Sequence, residues 1–141
     1  TGLVLQPLGG ASLVVDGKPV EPPKTLIYKG MMYSDVPNLA SVFGYTNASW
    51  TLKADLVCEY VCRLLNHMDR KGFRQATPRN DDPTLTEEPW VNFSSGYIQR
   101  ALAHQPKQGS KRPWKLYQNY VLDLLTLRHG SVKDRAMVFS K

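Results

Sequence analysis

Turn residues divide the first third of the chain into short apolar runs, which predict β-strands. The segment SLVVDGKPV, residues 12–20, holds two such runs around Asp16-Gly17, a dipeptide that suits a tight hairpin turn because it tolerates positive φ. The runs TLIYKGMMY (25–33) and LASVFGY (39–45) each predict one further strand. The second run is almost entirely apolar, so we expect it to lie centrally in a sheet.

An amphipathic pattern from Ser49 to Lys71 predicts one long helix, and Gly72 is placed to end it as the residue after the C-cap. Apolar residues recur at helical spacing along one face, and polar residues recur along the other. The predicted apolar face consists of Val57, Val61, Leu64, Leu65 and Met68. The predicted polar face consists of Asp55, Glu59, Arg63, Asn66 and Arg70.

The second half of the chain has a different composition. Residues 76–90 hold several prolines and charges, which predicts an exposed connection. A short helix is expected over 96–104, a loop over 106–114 and a second strong helix from Lys115 to His129. AMVFS, residues 136–140, predicts a last short strand. A strand ending at Gly44, a tight polar link and then a helix form the strand–turn–helix unit of an open α/β sheet, which indicates the α/β class.

Length and composition are those of a folded, water-soluble protein. The 141 residues suffice for one domain, with 42% hydrophobic and 21% charged residues. No apolar run approaches the roughly 18 residues of a membrane span. The first residues lack the features of a secretory signal, and the chain does not begin with methionine. We therefore expect a piece cut from a longer protein.

The formal net charge of +6 leaves two interpretations open. A basic protein can bind nucleic acid or another anionic partner, so a stand-alone basic α/β binding module is one alternative. The basic residues are scattered, however, and no RNA-binding or zinc-finger motif is present, which favours an ordinary solvated surface.

The side chains with metal-binding or redox chemistry do not predict a catalytic centre. Cys58 and Cys62 are four residues apart in the predicted helix, which disfavours a disulfide and indicates a reducing, cytoplasmic setting. Together with His67 they match no familiar zinc spacing, and small residues on a packed helix face explain them better. His104 and His129 lie near predicted helix C-termini, where a structural role is expected. No catalytic residue and no metal ligand is predicted.

The stretch GYTNASWT, residues 44–51, predicts a strand end, a polar link and a helix start. Ligands of open α/β sheets bind outside the carboxyl ends of the strands, and a helix start offers free N–H groups and a positive dipole end. Asn47, Ser49 and Thr51 are each possible N-caps, so the residues alone do not decide between helix capping and ligand binding. No Gly-rich phosphate loop is present.

Longer segments carry a resemblance to a known family. The run YKGMMYSDVPNLASVFGYTNASWTLKADLVCEYVCRLLNHMD resembles the C-terminal part of Baeyer–Villiger-type flavin-containing monooxygenases, most of all the subgroup of the mycobacterial ethionamide-activating monooxygenase. LAHQPKQGSKRPWKLYQNYVLDLLTLRHG is similar to the tail of that subgroup, and TGL at the start is similar to the end of the family's A-T-G motif.

The resemblance implies a fold and a chemistry. Such enzymes have an FAD domain interrupted by an NADPH domain, and they use a flavin C4a-peroxide to insert oxygen beside a ketone or onto a sulfide. Residues 1–75 would be the C-terminal part of the Rossmann-like FAD domain, and residues 76–141 a mainly helical C-terminal extension. Because neither Gly-rich dinucleotide loop is present, we expect the chain alone to be colourless and inactive.

The resemblance also implies site residues and partners. The family's link and helix start approach the flavin ring, which assigns cofactor binding to Asn47, Ala48, Ser49, Trp50, Thr51 and Leu52. It assigns Lys107 and Trp114 to the lining of the substrate or nucleotide site. The implied partners are the remainder of the parent flavoprotein, a small ketone or sulfide and molecular oxygen, without nucleic acid or a membrane span. Self-association through the cut surface is a further expectation.

Overall fold

The computed structural model describes residues 4–91 and 96–141, and every structural statement below refers to them. The strands are β1 (Val14–Val15), β2 (Lys18–Pro19), β3 (Ile27–Tyr28), β4 (Met32–Tyr33), β5 (Gln75–Pro78), β6 (Glu87–Pro89), β7 (Lys107–Gly109) and β8 (Met137–Ser140). The helices are α1 (Trp50–Lys71), α2 (Gly96–Leu102) and α3 (Tyr120–Asp123), the last continued by a π-helical stretch, Leu124–Arg128. Short 3-10 turns occupy Pro7–Gly10 and Pro22–Lys24.

The described strands form antiparallel pairs: β1 with β2, β3 with β4, β5 with β8, and β6 with β7. A single parallel bridge joins Leu26 to Lys107. Helices and strands are therefore mixed, in agreement with the α/β class. The small paired ribbons do not make up an open parallel sheet within the described part of the chain.

Positive φ angles decide where the first strands turn. The hairpin predicted over 12–20 is confirmed, with Asp16 at φ 50° and Gly17 at φ 76° between β1 and β2. The single strand predicted over 25–33 is wrong, because Lys29 (φ 49°) and Gly30 (φ 73°) fold that run into the β3–β4 hairpin. Two consecutive positive φ angles reverse the chain, which a sequence rich in β-favouring residues does not reveal.

The central strand predicted over 39–45 is also wrong. The segment pairs with no strand among residues 4–91 and 96–141, and the Ser41 N–H donates to the Met31 carbonyl at 2.7 Å. Its apolar side chains find aromatic neighbours instead: the Phe43 ring centre lies 4.1 Å from that of Trp90. An apolar run predicts that a segment is buried, but a β-strand also requires a neighbouring strand to pair with.

The long helix is confirmed almost to the residue, and Gly72 ends it at φ 66°. Its buried side chains are Lys53, Leu56, Val57, Tyr60, Leu64, His67 and Met68. Leu65, predicted to lie on the apolar face, is 56% exposed. Cys58 and Cys62 are free and exposed, so their predicted place on a packed face is wrong. The face of α1 that packs on the core includes Tyr60 and His67. Both side chains carry a polar group but bury their rings, so a division into apolar and polar residues does not reveal this face.

The segment 76–90 is only partly the exposed connection expected from its prolines. Residues 76–78 are buried in β5, which pairs with β8 and thereby confirms the predicted last strand. The predicted loop 106–114 contains β7. The short helix expected over 96–104 is confirmed as α2, with Ala101 buried. Long-range pairing therefore orders segments that look irregular when read locally.

The helix predicted from Lys115 to His129 is wrong over its first third. Residues 115–119 form no regular secondary structure, and the Asn119 side chain caps α3 by accepting a bond from the Leu122 N–H at 3.1 Å. Upstream, the Leu116 N–H donates to the Gln108 side chain at 2.9 Å, and Gln118 has φ 50°. These bonds to distant partners compete with the first helical turn.

The core draws on both halves of the chain. Its larger cluster includes Tyr28, Met32, Tyr60, Ala76, Trp114 and Met137. Its smaller cluster consists of Ile27, Tyr33, Val36, Trp90 and Val91, with partly buried neighbours. The division between residues 75 and 76 stays a prediction. Among the described helices none has the length and apolar character that crossing a membrane requires.

Candidate functional site

A cavity of about 660 Å³ lies beside the start of α1. It is lined by the β3–β4 turn, the link before α1, residues 80–83, Leu85, Trp90 and parts of the C-terminal segment from Arg112 to Ala136. This volume falls within the range of small-molecule sites. The lining combines aromatic and leucine side chains with two lysine–aspartate pairs.

The first pair joins the first turns of α1 and α3. Lys53 Nζ lies 2.8 Å from Asp123 Oδ2, and the Tyr45 hydroxyl donates to the same oxygen at 2.7 Å. The ammonium also lies 5.6 Å from the centre of the Tyr45 ring. Burial, followed by the bond to Asp123, raises the pKa of Tyr45 above its ordinary value, so the phenol keeps its proton and donates.

The second pair repeats this arrangement elsewhere in the lining. Lys29 Nζ lies 2.9 Å from Asp134 Oδ2, to which the Tyr28 hydroxyl donates at 2.6 Å. The Tyr28 and Tyr60 hydroxyl oxygens are 3.0 Å apart, and the ammonium lies 4.8 Å from the Tyr60 ring centre. Burial raises the pKa of Tyr28 and raises that of Tyr60 to about 12. Burial lowers the pKa of Lys29, and Asp134 opposes that effect.

Of the two residues predicted to line a substrate or nucleotide site, Trp114 lines the cavity and Lys107 does not. Trp114 is 3% exposed, with its ring 5.7 Å from that of Tyr28 in an edge-on contact. Lys107 lies in β7, exposed and ion-paired with Glu87. Contact of either residue with a ligand stays a prediction.

The predicted cofactor-binding residues, Asn47 to Leu52, are all exposed and lie outside the cavity lining. They are flanked by two lining residues, Tyr45 and Lys53. The structure therefore brings the predicted segment to the surface directly beside the cavity.

The helix start is not capped in the expected way. Ser49 occupies the N-cap position without a capping bond, and its hydroxyl lies 2.8 Å from that of Thr51. Asn47 donates to the Gln118 carbonyl at 3.1 Å, so its side chain holds the link rather than the helix. The N–H groups of the first turn thus lack a side-chain acceptor at the N-cap, which leaves the positive end of α1 open.

The close approach of Trp50 explains why position 44 is a glycine. A Cβ atom at this position would lie 2.3 Å from Trp50 Cγ and 2.8 Å from Trp50 Cα. Any other residue would push the backbone of the first helical turn away. The Trp50 ring then packs edge-on against Phe43, with ring centres 5.0 Å apart.

Sequence reasoning missed both lysine–aspartate pairs. Lys53 is 70 positions from Asp123. Tyr28, which donates to Asp134 beside the Lys29 pair, is 106 positions from it. No local spacing along the sequence predicts contacts over such distances. The one available signal is a lysine, Lys53, in the first turn of a helix, where the dipole disfavours a cation without a partner. No group of three or more His, Cys, Asp or Glu side chains suited to a metal ion occurs in residues 4–91 and 96–141.

Comparison with known proteins identifies the relatives of this chain. It is 50% identical over 141 residues to the FAD-containing monooxygenase EthA of Mycobacterium tuberculosis, a match covering 100% of this chain and 29% of that protein. The whole chain is similar to FAD-containing monooxygenases. EthA of Mycolicibacterium smegmatis is 48% identical over 141 residues, with 100% of this chain and 29% of EthA covered.

A third relative comes from another genus. The protein named "Probable FAD-binding monooxygenase AlmA" of Acinetobacter baylyi is 44% identical over 142 residues, covering 100% of this chain and 28% of AlmA. The chain thus spans less than a third of the length of these relatives, in their C-terminal part. The predicted resemblance is confirmed. No family model and no solved structure matches the chain.

Proposed function

We propose that the chain is part of an FAD- and NADPH-dependent monooxygenase of the Baeyer–Villiger type, in which this segment forms one wall of the flavin site. The observation that carries the proposal is the similarity of the whole chain to the C-terminal part of FAD-containing monooxygenases. The substrate would be a small ketone or sulfide, with molecular oxygen as the second reactant and a cytoplasmic location. The remainder of the parent flavoprotein would supply both dinucleotide-binding loops.

The start of α1 fits a flavin. Residues 46–52 are exposed, and Ala48 and Ser49 are small. The side chain of Ser49, the N-cap residue, accepts no hydrogen bond from the N–H groups of the first helical turn. A flat ring system can therefore approach the backbone closely. We assign flavin contact to Asn47, Ala48, Ser49, Trp50, Thr51 and Leu52. The flavin, when bound, would supply the redox and oxygen-activating chemistry.

The chain's own contribution would be electrostatic. The open N-terminus of a 22-residue helix presents partial positive charge, which favours negative charge on a nearby ring. The end of such a helix stabilises a nearby negative charge by about 0.3–2 kcal/mol. Asn47, which donates to the Gln118 carbonyl, would keep the link in place. This wall would tune the cofactor, and other parts of the protein would hold it.

The Rossmann-like domain belongs to the same proposal. Residues 39–45 are mostly apolar and have no strand partner among the described residues. In the parent protein we expect residues 1–75 to form the C-terminal part of that FAD domain.

The alternative of a nucleic-acid-binding module has no structural observation in its favour. Of the 18 Lys and Arg residues, at least nine take part in ion pairs with carboxylates of the chain itself. A phosphate backbone would have to compete with those carboxylates.

A redox titration of a full-length parent carrying this segment tests the flavin wall. Asn47→Asp should place a carboxylate beside the flavin and lower its midpoint potential, because two negative charges about 4 Å apart repel by roughly 1–4 kcal/mol. Asn66→Asp, at an exposed position further along α1, is the matched control and should leave the potential unchanged. If residue 47 only supports the helix start, both variants will titrate like the parent.

The isolated chain offers a second test. It should purify colourless and should not oxidise NADPH, because it carries no Gly-rich dinucleotide loop. Stoichiometric yellow flavin retained by the 141-residue chain would contradict the assignment of a single wall.

A further inference from the structure

We propose that the cavity beside α1 binds an uncharged, mainly apolar small molecule, and that the Lys29–Asp134 and Lys53–Asp123 pairs set this selectivity. The inference concerns the cavity alone, requires no flavin, and stands whether or not the assignment of residues 47–52 holds.

The volume and the wall define the kind of molecule that fits. About 660 Å³ accommodates a ligand of one or two rings with room for substituents. The wall includes the Phe43 and Trp90 rings, with centres 4.1 Å apart, the Trp114 ring and several leucines. Such surfaces gain most from apolar and aromatic contact area.

The charges in the lining are already matched. Asp123 Oδ2 accepts from both Lys53 and Tyr45, and Asp134 Oδ2 accepts from Tyr28 and is ion-paired with Lys29. The Lys53 and Lys29 side chains are only 6% and 11% exposed. Water therefore contributes little to balancing an additional charge at these positions.

The other charged side chains of the lining, except Arg112, are also paired with an opposite charge of the chain. Arg135 pairs with Asp81, Lys111 with Asp82, and Lys115 with Glu88. Arg112 is the exception, but it is exposed and lies over the Tyr117 ring at 5.2 Å. A charged ligand would thus lose its hydration without meeting a free buried counter-ion, which is costly.

Three naphthalene probes of closely similar shape test the proposal by calorimetric titration of the 141-residue chain. The probes are 2-naphthamide, 2-naphthoate and 2-naphthylmethylammonium. The uncharged amide should bind at least about tenfold more tightly than either charged probe. Equal affinities for the three probes, or no binding of any of them, would overturn the proposal.

Breaking one pair should shift the preference in a direction fixed by the charge that remains. Asp123→Asn leaves the Lys53 ammonium without its carboxylate, so the naphthoate-to-naphthamide affinity ratio should rise about tenfold or more. Lys53→Met leaves the Asp123 carboxylate and should shift the ratio toward the ammonium probe by a similar factor. The double variant Lys53→Met with Asp123→Leu removes both charges and should restore preference for the amide.

Lys24→Met is the matched control, since it breaks the exposed pair with Glu21 away from the cavity and should leave all ratios unchanged. Thermal unfolding identifies any single variant that does not fold. In that case Asp134→Asn and Lys29→Met provide the same comparison at the second pair. Folded variants that keep the wild-type ratios at both pairs would show that the pairs do not select the ligand.

Discussion

The Lys53 ammonium lies 2.8 Å from the Asp123 carboxylate and ties the first turn of α1 to the first turn of α3. Their side chains are 6% and 16% exposed, so this is a largely buried ion pair. The pair holds the C-terminal segment against the helix start and thereby shapes one wall of the cavity. A buried pair costs much desolvation, and it is tolerated here because the Tyr45 hydroxyl also donates to Asp123.

Removing one partner of this pair should destabilise the chain strongly. Asp123→Ala leaves the Lys53 ammonium buried without a counter-ion, and we expect a loss of about 3–5 kcal/mol in the free energy of unfolding. Urea unfolding measures the loss. Glu21→Ala removes the carboxylate of an exposed pair with Lys24 and should cost no more than about 1 kcal/mol. Similar losses for the two variants would mean that the buried pair is not an anchor.

Gly44→Ala should disturb the start of α1. The new methyl group would lie within 2.3–2.8 Å of Trp50 ring and backbone atoms, and the backbone cannot move aside as a flexible side chain can. We expect a loss of about 1–3 kcal/mol in unfolding free energy. The control is Gly96→Ala, whose methyl group would first meet the tip of the Arg100 side chain at 3.4 Å. If both substitutions are equally mild, the close approach of Gly44 to Trp50 does not constrain the link.

His67 should make stability depend on pH. Its ring packs beside the stacked rings of Phe73 and Phe139, with centres 6.0 and 5.1 Å away, and burial lowers its pKa, assisted by nearby Lys133. The unfolded chain then takes up a proton that the folded chain resists. The contribution of His67 is therefore complete above about pH 6.5 and declines as the pH falls below it.

Chemical unfolding between about pH 7.5 and about pH 5 measures this contribution. His67→Phe keeps a ring beside the stacked Phe73 and Phe139 pair and removes the titrating group. The variant should show a smaller fall in unfolding free energy with acidification than the parent chain. An identical slope in both proteins would assign the pH dependence to other groups.

Self-association of the isolated chain should involve its exposed apolar residues. Tyr117, Val121 and Leu125 are 45%, 61% and 56% exposed, and they follow one another at intervals of four. Val57, on the predicted apolar face of α1, is buried at 2% exposure and is not available for such contact. Light scattering should show concentration-dependent growth in mass, reduced by the double variant Val121→Lys with Leu125→Lys. Unchanged association in that variant would place the contact elsewhere.

The sequence by itself determined the elements that depend on local chemistry. The hairpin at Asp16-Gly17 follows from residues that tolerate positive φ, and α1 follows from an uninterrupted amphipathic pattern ended by Gly72. The resemblance to FAD-containing monooxygenases was equally visible, because alignments with 43–50% identity cover 99–100% of the chain. Assigning residues 47–52 to the helix start and its approach required no long-range information.

Tertiary structure decided what depends on distant partners. Residues 39–45 look like a strand but have no pairing neighbour in the described part of the chain. Residues 115–119 look helical, but the Leu116 N–H donates to the Gln108 side chain instead of to a helical carbonyl. The cavity and its two ion pairs exist only once Lys53 has met Asp123, 70 positions away, and Lys29 has met the still more distant Asp134. Patterns along a chain report local propensity and burial, whereas pairing and charge neutralisation are properties of contacts that form only in the folded chain.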